Sequence, residues 1–160
     1  MGHSHWDKLY RADIRASRER LFELTSDLPN YGRWLPPSGQ YGATTEVEPY
    51  PVQLGTRYHD GKPTSKGRDW WGTVTVFEPP ASLGFRQAIR VPEAFATVDA
   101  DILYSFERNG DSTAVTRRLS LDIRMPVVTR PIRRLIISGF DTENLRALAA
   151  LKTYAEADPE

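Results

Sequence analysis

Hydrophobic and polar residues alternate along much of the chain, which is the pattern of β-strands that bury one face. In residues 6–15, Tyr10, Ala12 and Ile14 share one face, while charged residues occupy the other. Between residues 41 and 124 the alternation continues and is interrupted by turn residues, so we expect consecutive antiparallel strands. Seven strands are predicted, over residues 6–15, 42–49, 54–60, 68–78, 82–90, 97–108 and 112–124.

Two short helical segments are predicted after the first strand. Ser17 precedes an amphipathic stretch, and its hydroxyl can accept a hydrogen bond from the first free helical amides. Asp27 begins a second short turn, which ends at Pro36 and Pro37 because neither proline can donate a helical hydrogen bond.

A long C-terminal helix is predicted over residues 129–156, where apolar residues recur at three- and four-residue intervals. At about 1.5 Å per residue it would extend roughly 40 Å and cross a whole domain. Gly139 lies near its middle, where a glycine costs about 1 kcal/mol relative to alanine. We therefore expect either a kink at Gly139 or a close approach of something packed against the backbone there.

These elements predict an α+β fold in which the helices cover one face of a seven-stranded antiparallel sheet. A sheet of this size is strongly twisted and can curl around a helix, which leaves a gap wherever side chains do not fill the concave face. Such a gap is a natural cavity for a small molecule.

The composition is that of one compact domain. The 160 residues are 39% hydrophobic, and 21 basic residues balance 21 acidic ones, so no overall field attracts nucleic acid or an anionic membrane. There is no cysteine, which excludes disulfides and thiolate metal sites, and no apolar run approaches the ~20 residues of a membrane span. We expect a cytoplasmic protein with one domain over residues 6–157, preceded at residues 1–5 by a mobile terminus of purification-tag origin.

Five segments together resemble a known superfamily. In chain order they read ASRERLFELTSDLPNYGRWLP, LGTRYHDG, GTVTVFEPPASLGFR, LYSFERNGDSTAVTRRLSL and ENLRALAALKTYAE. Their order and spacing resemble the START-like (SRPBCC) helix-grip superfamily, in its polyketide cyclase/dehydrase and lipid transfer branch, over residues 6–156. The resemblance implies a helix-grip fold, in which an antiparallel sheet wraps around the C-terminal helix and encloses a hydrophobic cavity. Its members include aromatase/cyclases, carriers of lipids, steroids or plant hormones, and coenzyme Q-binding proteins, so the fold does not fix the activity.

Alternation along the predicted strands indicates which side chains face the cavity. Arg117 is charged on an otherwise apolar face, so it is either a ligand anchor or half of a structural ion pair. Gln87 can orient a polar ligand group or bond to backbone, and the tyrosines can be ligand contacts or ordinary core residues. The predicted ligand-binding residues are Tyr31, Trp34, Tyr58, Trp70, Phe85, Gln87, Tyr104, Phe106, Arg117, Ile136 and Phe140.

Three acid–base candidates occur in the predicted strands: His59, Asp60 and Asp101. The face on which His59 falls favours a surface position, and Asp60 can simply form a turn with the glycine that follows it. If the protein is an enzyme, Arg117, Asp60 and His59 are its candidate catalytic residues.

No metal and no cofactor are predicted. His3 and His5 are assigned to the mobile terminus, and no histidine–carboxylate cluster with metal-binding spacing remains. The chain also lacks the glycine-rich and serine motifs of dinucleotide-binding proteins, P-loop proteins and hydrolases.

Three functions stay open at this point. The first is binding of a hydrophobic small molecule, polyketide-like, lipid or aromatic, in the cavity between sheet and C-terminal helix. The second is an aromatase/cyclase acting on a polyketide intermediate, and the third is a partner-binding or regulatory module with a lid at residues 61–70. Six arginines between residues 117 and 134 form either a solvated face or a surface for acidic lipids or an acyl-carrier protein. Neither nucleic-acid binding nor integral membrane association is predicted.

Overall fold

The computed structural model describes residues 1–39, 41–61 and 70–157. Within these ranges the strands and helices follow one another in the order β, α, six β, α, as predicted. Their bounds are β1 (Gly2–Ile14), α1 (Arg18–Ser26), β2 (Ala43–Glu48), β3 (Arg57–Gly61), β4 (Trp70–Glu78), β5 (Ser82–Val91), β6 (Ala96–Asn109), β7 (Ser112–Met125) and α2 (Arg133–Ala157). Short 3₁₀ helices cover Leu28–Arg33, Pro92–Ala94 and Val127–Ile132.

The seven strands form one antiparallel sheet in the order β1-β7-β6-β5-β4-β3-β2, which confirms the predicted fold class. From β2 to β7 each strand pairs with the next strand in sequence, which is the pattern of an antiparallel meander. β1 closes the order by pairing with β7 from Gly2 opposite Met125 to Ile14 opposite Thr113. The sheet therefore has β1 at one edge and β2 at the other.

β1 begins earlier than predicted. Residues 2–5, expected to be a mobile terminus, pair with the end of β7 and are part of the sheet. The imidazole of His5 lies 3.1 Å from the Asp122 carboxylate, and that of His3 lies 3.4 Å from it. Hydrogen bonds to Asp122 and Asp7 raise the pKa of His5, whose side chain is about half exposed.

The two predicted helix starts are explained by local chemistry. Ser17 caps α1, and its hydroxyl oxygen accepts a 3.1 Å hydrogen bond from the Arg20 amide. α2 begins at Arg133, a few residues later than predicted, because the chain first forms the 3₁₀ turn that contains Pro131. β3 likewise begins only at Arg57, since Gly55 adopts φ +85° in the preceding turn.

The prediction of a close approach at Gly139 is wrong. α2 continues through this residue, and a Cβ built on it would meet no atom of the described residues within 4 Å. The glycine instead faces empty space, which the next subsection identifies as a cavity.

The core lies between the concave face of the sheet and the helices. Tyr104, Phe106, Leu119 and Leu121 of β6 and β7 are almost completely buried, and Leu151 of α2 packs in the same cluster. Asp141 holds the middle of α2 against β1, because its carboxylate accepts hydrogen bonds from Tyr10 Oη at 2.6 Å and Lys8 Nζ at 2.9 Å. In the described ranges, neither helix combines the length and apolarity that a bilayer crossing requires.

Candidate functional site

A cavity of about 410 Å³ separates α2 from the half of the sheet that carries the shorter strands. That volume is within the usual range for small-molecule sites. Most of its wall is apolar, and five charged side chains interrupt it: Asp60, Arg90, Glu93, Arg117 and Glu143. Arg90 and Glu93 are exposed, and Glu143 forms an ion pair with Arg146. The wall consists of Leu28, Tyr31, Trp34, Leu35, Tyr41, Thr44, Tyr58, Asp60, Trp70, Phe85, Gln87, Ile89, Arg90, Val91, Glu93, Ile102, Arg117, Ile132, Leu135, Ile136, Gly139, Phe140, Glu143, Asn144 and Ala147.

One face of α2 forms the wall opposite the sheet. Its lining residues recur at steps of three and four, as the helical repeat requires for side chains that share a face. Ile136 and Phe140 lie one turn apart on this face, with Gly139 beside them. A larger residue in place of Gly139 would therefore project into the cavity.

Arg117 is the less exposed of the two arginines in the cavity wall, since Arg90 is exposed. Its Nε donates a 2.7 Å hydrogen bond to Asn144 Oδ1 on α2, and an Nη donates to the hydroxyl of Tyr104 on β6. The guanidinium carbon lies 4.8 Å from the centroid of the Tyr104 ring. Among the described residues, no carboxylate oxygen lies within 4 Å of this guanidinium, so its charge is held by neutral partners only.

Asn144 orients Arg117 from the helix. It is only 4% exposed, and its Nδ2 donates a 2.7 Å hydrogen bond to the Phe140 carbonyl, which leaves its Oδ1 to accept from Arg117. The arginine–asparagine hydrogen bond links β7 to α2 across one end of the cavity.

Asp60 supplies the negative charge at the other polar position. Its Oδ1 accepts a 2.6 Å hydrogen bond from Thr44 Oγ1 on β2, and its Oδ2 accepts a 2.8 Å bond from Gln87 Nε2 on β5. Burial raises the pKa of Asp60 to about 6, although the hydrogen bonds from Thr44 and Gln87 favour the ionised form. The carboxyl group therefore titrates close to neutral pH.

Tyr58 lies beside Asp60 and is bonded through the same glutamine. Gln87 Nε2 donates to Tyr58 Oη at 3.1 Å, and burial raises the pKa of Tyr58, which stays a neutral phenol. Gly72 lies opposite Tyr58 on β4, and a Cβ on Gly72 would overlap the tyrosine ring. The absence of a side chain at residue 72 is what allows Tyr58 to lie against the sheet.

Tyr31 and Trp34 form an aromatic wall between α1 and α2. Their ring centroids are 4.9 Å apart, the Tyr31 hydroxyl donates to the Thr25 carbonyl, and Trp34 Nε1 donates to the Leu24 carbonyl at 3.0 Å. Since both polar atoms are already bonded to backbone, these two residues present apolar ring surface to the cavity.

The two charged groups do not meet. Arg117 lies on β7 and Asp60 on β3, and β6, β5 and β4 lie between these two strands in the sheet. No hydrogen bond or ion pair between described residues joins them. Arg117 and Asp60 therefore form two separate polar positions in the cavity wall.

A family model for polyketide cyclase/dehydrase and lipid transport proteins matches residues 10–156. The chain belongs to this family. That assignment agrees with the superfamily resemblance of the sequence segments and with the helix-grip arrangement of sheet and α2. Among curated proteins, none matches the sequence.

Solved structures share the fold at low sequence identity. An uncharacterized protein from Rhizobium leguminosarum is 13% identical, with 98% of each chain covered and a TM-score of 0.72. The di-domain ARO/CYC protein BexL from the BE-7585A biosynthetic pathway is 14% identical, with a TM-score of 0.70, and StfQ from the steffimycin biosynthetic pathway is 11% identical, with a TM-score of 0.68. The matches cover 97% and 96% of this chain but 51% of each di-domain protein, so this chain corresponds to one half of them.

Within this family fold, nine of the eleven predicted ligand-binding residues line the cavity. They are Tyr31, Trp34, Tyr58, Trp70, Phe85, Gln87, Arg117, Ile136 and Phe140. Tyr104 and Phe106 do not line it: they stack on each other in the core, 5.6 Å between ring centroids. They share the inward face of β6 as predicted, but side chains of neighbouring elements fill the space above them. Tyr104 contributes indirectly, through its bond to Arg117.

The structure places one of the three acid–base candidates in the cavity wall and two outside it. Asp60 lines the cavity, whereas His59 and Asp101 do not. The His59 ring lies 5.1 Å from the ring of Trp71, which is 41% exposed, so this pair is on the outer face of the sheet. In the part of the chain that the structure describes, no group of three or more potential metal ligands occurs.

Sequence reasoning did not identify Thr44, Tyr41 or Asn144 as site residues. Asn144 had a usable signal, because it is a polar residue on the apolar face of α2, four residues after Phe140. No such signal marked Thr44, which is one of several polar residues in the short strand β2, or Tyr41, which precedes that strand. The proposed lid at residues 61–70 falls on residues 62–69, which lie outside the described residues.

Proposed function

We propose that this protein binds an elongated, largely apolar or aromatic small molecule in the cavity and holds an anionic or carbonyl oxygen of that molecule on Arg117. One observation carries the proposal. A guanidinium forms part of an apolar cavity wall, and its described partners, Asn144 and Tyr104, are neutral. A charge kept in such surroundings gains a counter-ion or a strong acceptor when a ligand supplies one.

The energetics favour a binding role. Apolar contact contributes roughly 25 cal/mol per Å² removed from water, so a ligand that buries a few hundred Å² gains several kcal/mol before entropy costs. A hydrogen bond to a charged group adds about 1.5–3 kcal/mol. Family membership in polyketide cyclase/dehydrase and lipid transport proteins supports a ligand of this chemical type.

The test compares Arg117→Met with Arg118→Met. Both variants lose one guanidinium from β7, but Arg118 is exposed on the opposite face of the sheet. We expect Arg117→Met to bind anilinonaphthalene sulfonate and dodecanoate about 10- to 100-fold more weakly than the wild type, and Arg118→Met to bind them normally. Titration calorimetry measures both affinities.

The fold of each variant is checked by circular dichroism and thermal unfolding. Equal affinities of wild type and folded Arg117→Met would contradict the proposal, as would a failure of the wild type to bind either anion. If Arg117→Met does not fold, Arg117→Lys keeps the charge without the paired N–H groups and is expected to weaken binding by a smaller factor.

A second candidate function is polyketide cyclisation, and Asp60 is the observation that favours it. Its pKa of about 6 suits a group that takes up and releases a proton near neutral pH, and Tyr58 beside it can donate a hydrogen bond to a developing oxyanion. The separation of Asp60 from Arg117 places binding ahead of catalysis. Incubation with a poly-β-ketone thioester, followed by product analysis for wild type and Asp60→Asn, tests this candidate.

A further inference from the structure

The Asp60 end of the cavity holds several polar groups with unused hydrogen-bonding capacity. Asp60 and Trp70 are directly opposite each other on β3 and β4, and Tyr58 precedes Asp60 by two residues on the same strand. Side chains at directly opposed positions share a face, with Cβ atoms about 4.5–5.5 Å apart. All three side chains belong to the cavity wall.

Asp60 has acceptor capacity left over. A carboxylate has about four lone-pair positions, and the hydrogen bonds from Thr44 and Gln87 use one on each oxygen. Among the described residues, no lysine, arginine or histidine forms an ion pair with it. The carboxyl group can therefore accept a further hydrogen bond from the cavity.

Two donors at the same end have no acceptor among the described residues. The indole Nε1 of Trp70 is buried and bonds to no atom of the part of the chain that the structure describes. The Tyr58 oxygen accepts from Gln87, but no described residue accepts the hydrogen of its own hydroxyl. Leaving a buried donor unpaired is unfavourable, so these groups indicate that a ligand supplies the acceptor.

We propose that this end of the cavity is a second polar subsite, which takes a hydroxyl group at the far end of a ligand anchored on Arg117. A hydroxyl is the smallest group that meets both requirements, because it donates one hydrogen bond to Asp60 and accepts from Tyr58 or Trp70. The ligand class is a hydroxylated apolar acid or ketone, with its oxygens at opposite ends. This inference rests on the proposed binding function and specifies its ligand.

The experiment uses three ligands that differ only at the end remote from the carboxylate: dodecanoate, ω-hydroxydodecanoate and the ω-methyl ether of the latter. The ether can accept a hydrogen bond but cannot donate one to Asp60. We expect the wild-type protein to bind the hydroxy acid at least as tightly as dodecanoate and about tenfold or more tighter than the ether. In a purely apolar cavity the hydroxyl would instead weaken binding about tenfold or more.

Asp60→Leu is the decisive variant. It should lower the preference for hydroxy acid over dodecanoate by about tenfold or more, while Glu107→Leu, an exposed carboxylate on β6, should leave the preference unchanged. Tyr58→Phe should lower the same preference by a smaller factor. If Asp60→Leu does not fold, the wild-type ranking of hydroxy acid and ether decides the question.

The outcomes separate this inference from the proposed function. In one outcome, binding of the acids depends fully on Arg117, but the wild type prefers dodecanoate about tenfold over the hydroxy acid. That result would overturn the second subsite and leave the proposed binding function intact. A decrease of less than about tenfold in the preference of Asp60→Leu for the hydroxy acid over dodecanoate would also overturn the second subsite. If the wild type binds none of the three acids, the proposed binding function fails, and the second subsite fails with it.

Discussion

Arg117 and Asp60 face the same cavity but are held by different parts of the fold. Arg117 is bonded across the cavity to Asn144 of α2, so the helix and the sheet both determine where its guanidinium lies. Among the described residues, Asp60 is bonded to side chains of the sheet, Thr44 on β2 and Gln87 on β5. The Arg117 end thus depends on the docking of α2, whereas the Asp60 end depends on the register of the shorter strands.

This difference has a physical consequence for the two charges. A guanidinium does not deprotonate in proteins. Asp60 changes its charge near neutral pH, since burial raises its pKa to about 6. One end of the cavity is a permanent anchor, and the other responds to pH and to the ligand that occupies it.

The largest effect on stability is expected for Asn144→Leu. This change leaves the partly buried Nε of Arg117 without its acceptor, which costs about 2–3 kcal/mol because the unpaired group is charged. The double variant Arg117→Met/Asn144→Leu should recover part of that loss, since both polar partners are then absent. Urea unfolding of the two single variants and the double variant measures the coupling, and strictly additive effects would refute the proposed Arg117–Asn144 linkage.

Asp60→Asn should change the pH dependence of stability. Between pH ~4, the pKa range of an unfolded aspartate, and pH ~6, native Asp60 holds a proton that the unfolded chain has released. Raising the pH through this window should therefore lower the free energy of unfolding of the wild type by about 2–3 kcal/mol relative to that of Asp60→Asn.

Urea unfolding of both proteins at about pH 4 and about pH 7.5 measures this difference. The partly exposed acids whose pKa is lowered, such as Asp141 and Asp122, contribute with the opposite sign. They are the same in both proteins and cancel from the difference. Parallel pH profiles would show that Asp60 is solvated and that its end of the cavity is open to water.

Gly72→Ala tests how the Asp60 end is built. The added Cβ would overlap the Tyr58 ring, so the tyrosine must move off the sheet and the protein should lose about 2 kcal/mol of stability. Gly32→Ala is the matched control, because a Cβ there meets nothing within 4 Å among the described residues. Binding of dodecanoate through Arg117 should survive in Gly72→Ala, while the preference for the hydroxy acid should fall. Loss of both would mean that the two ends are not independent.

The smallest effect is expected for Asp141→Asn, near the Arg117 end. The carboxylate of Asp141 bonds Tyr10 and Lys8 at a partly exposed position, so its loss should cost about 0.5–1 kcal/mol. Ligand affinity should be almost unchanged, because other buried contacts of α2 still hold Asn144. A large loss of affinity would instead show that this one surface contact determines where α2 lies.

Much of the fold was predictable because its signals are local. Alternation gave the seven strands, and Ser17 marked the start of α1 through its capping hydroxyl. Residues 2–5 were missed because a sequence rich in histidine and glycine at the terminus has no clear strand pattern. Their pairing with β7 is a long-range contact that only the assembled sheet creates.

Residues of the site were predictable where the pattern of one strand or one helix sufficed. Arg117 and Gln87 stand out as polar residues among apolar ones, and both line the cavity. Tyr104 and Phe106 share the same type of face, yet lie in the filled core, because strand parity indicates the inward side and not whether the space above it is occupied. The bonds of Asp60 to Thr44 and of Arg117 to Asn144 join residues 16 and 27 positions apart, and no local pattern predicts them.

The most direct test of the cavity as the binding site is Gly139→Leu, measured by dodecanoate titration and urea unfolding on the same protein. The leucine side chain would project from α2 into empty space, and replacing a mid-helix glycine should stabilise the fold by up to about 1 kcal/mol. We predict a protein that is at least as stable as the wild type but binds dodecanoate about tenfold or more weakly. Unchanged affinity in a stable, folded Gly139→Leu protein would show that the ligand binds elsewhere and would contradict the account.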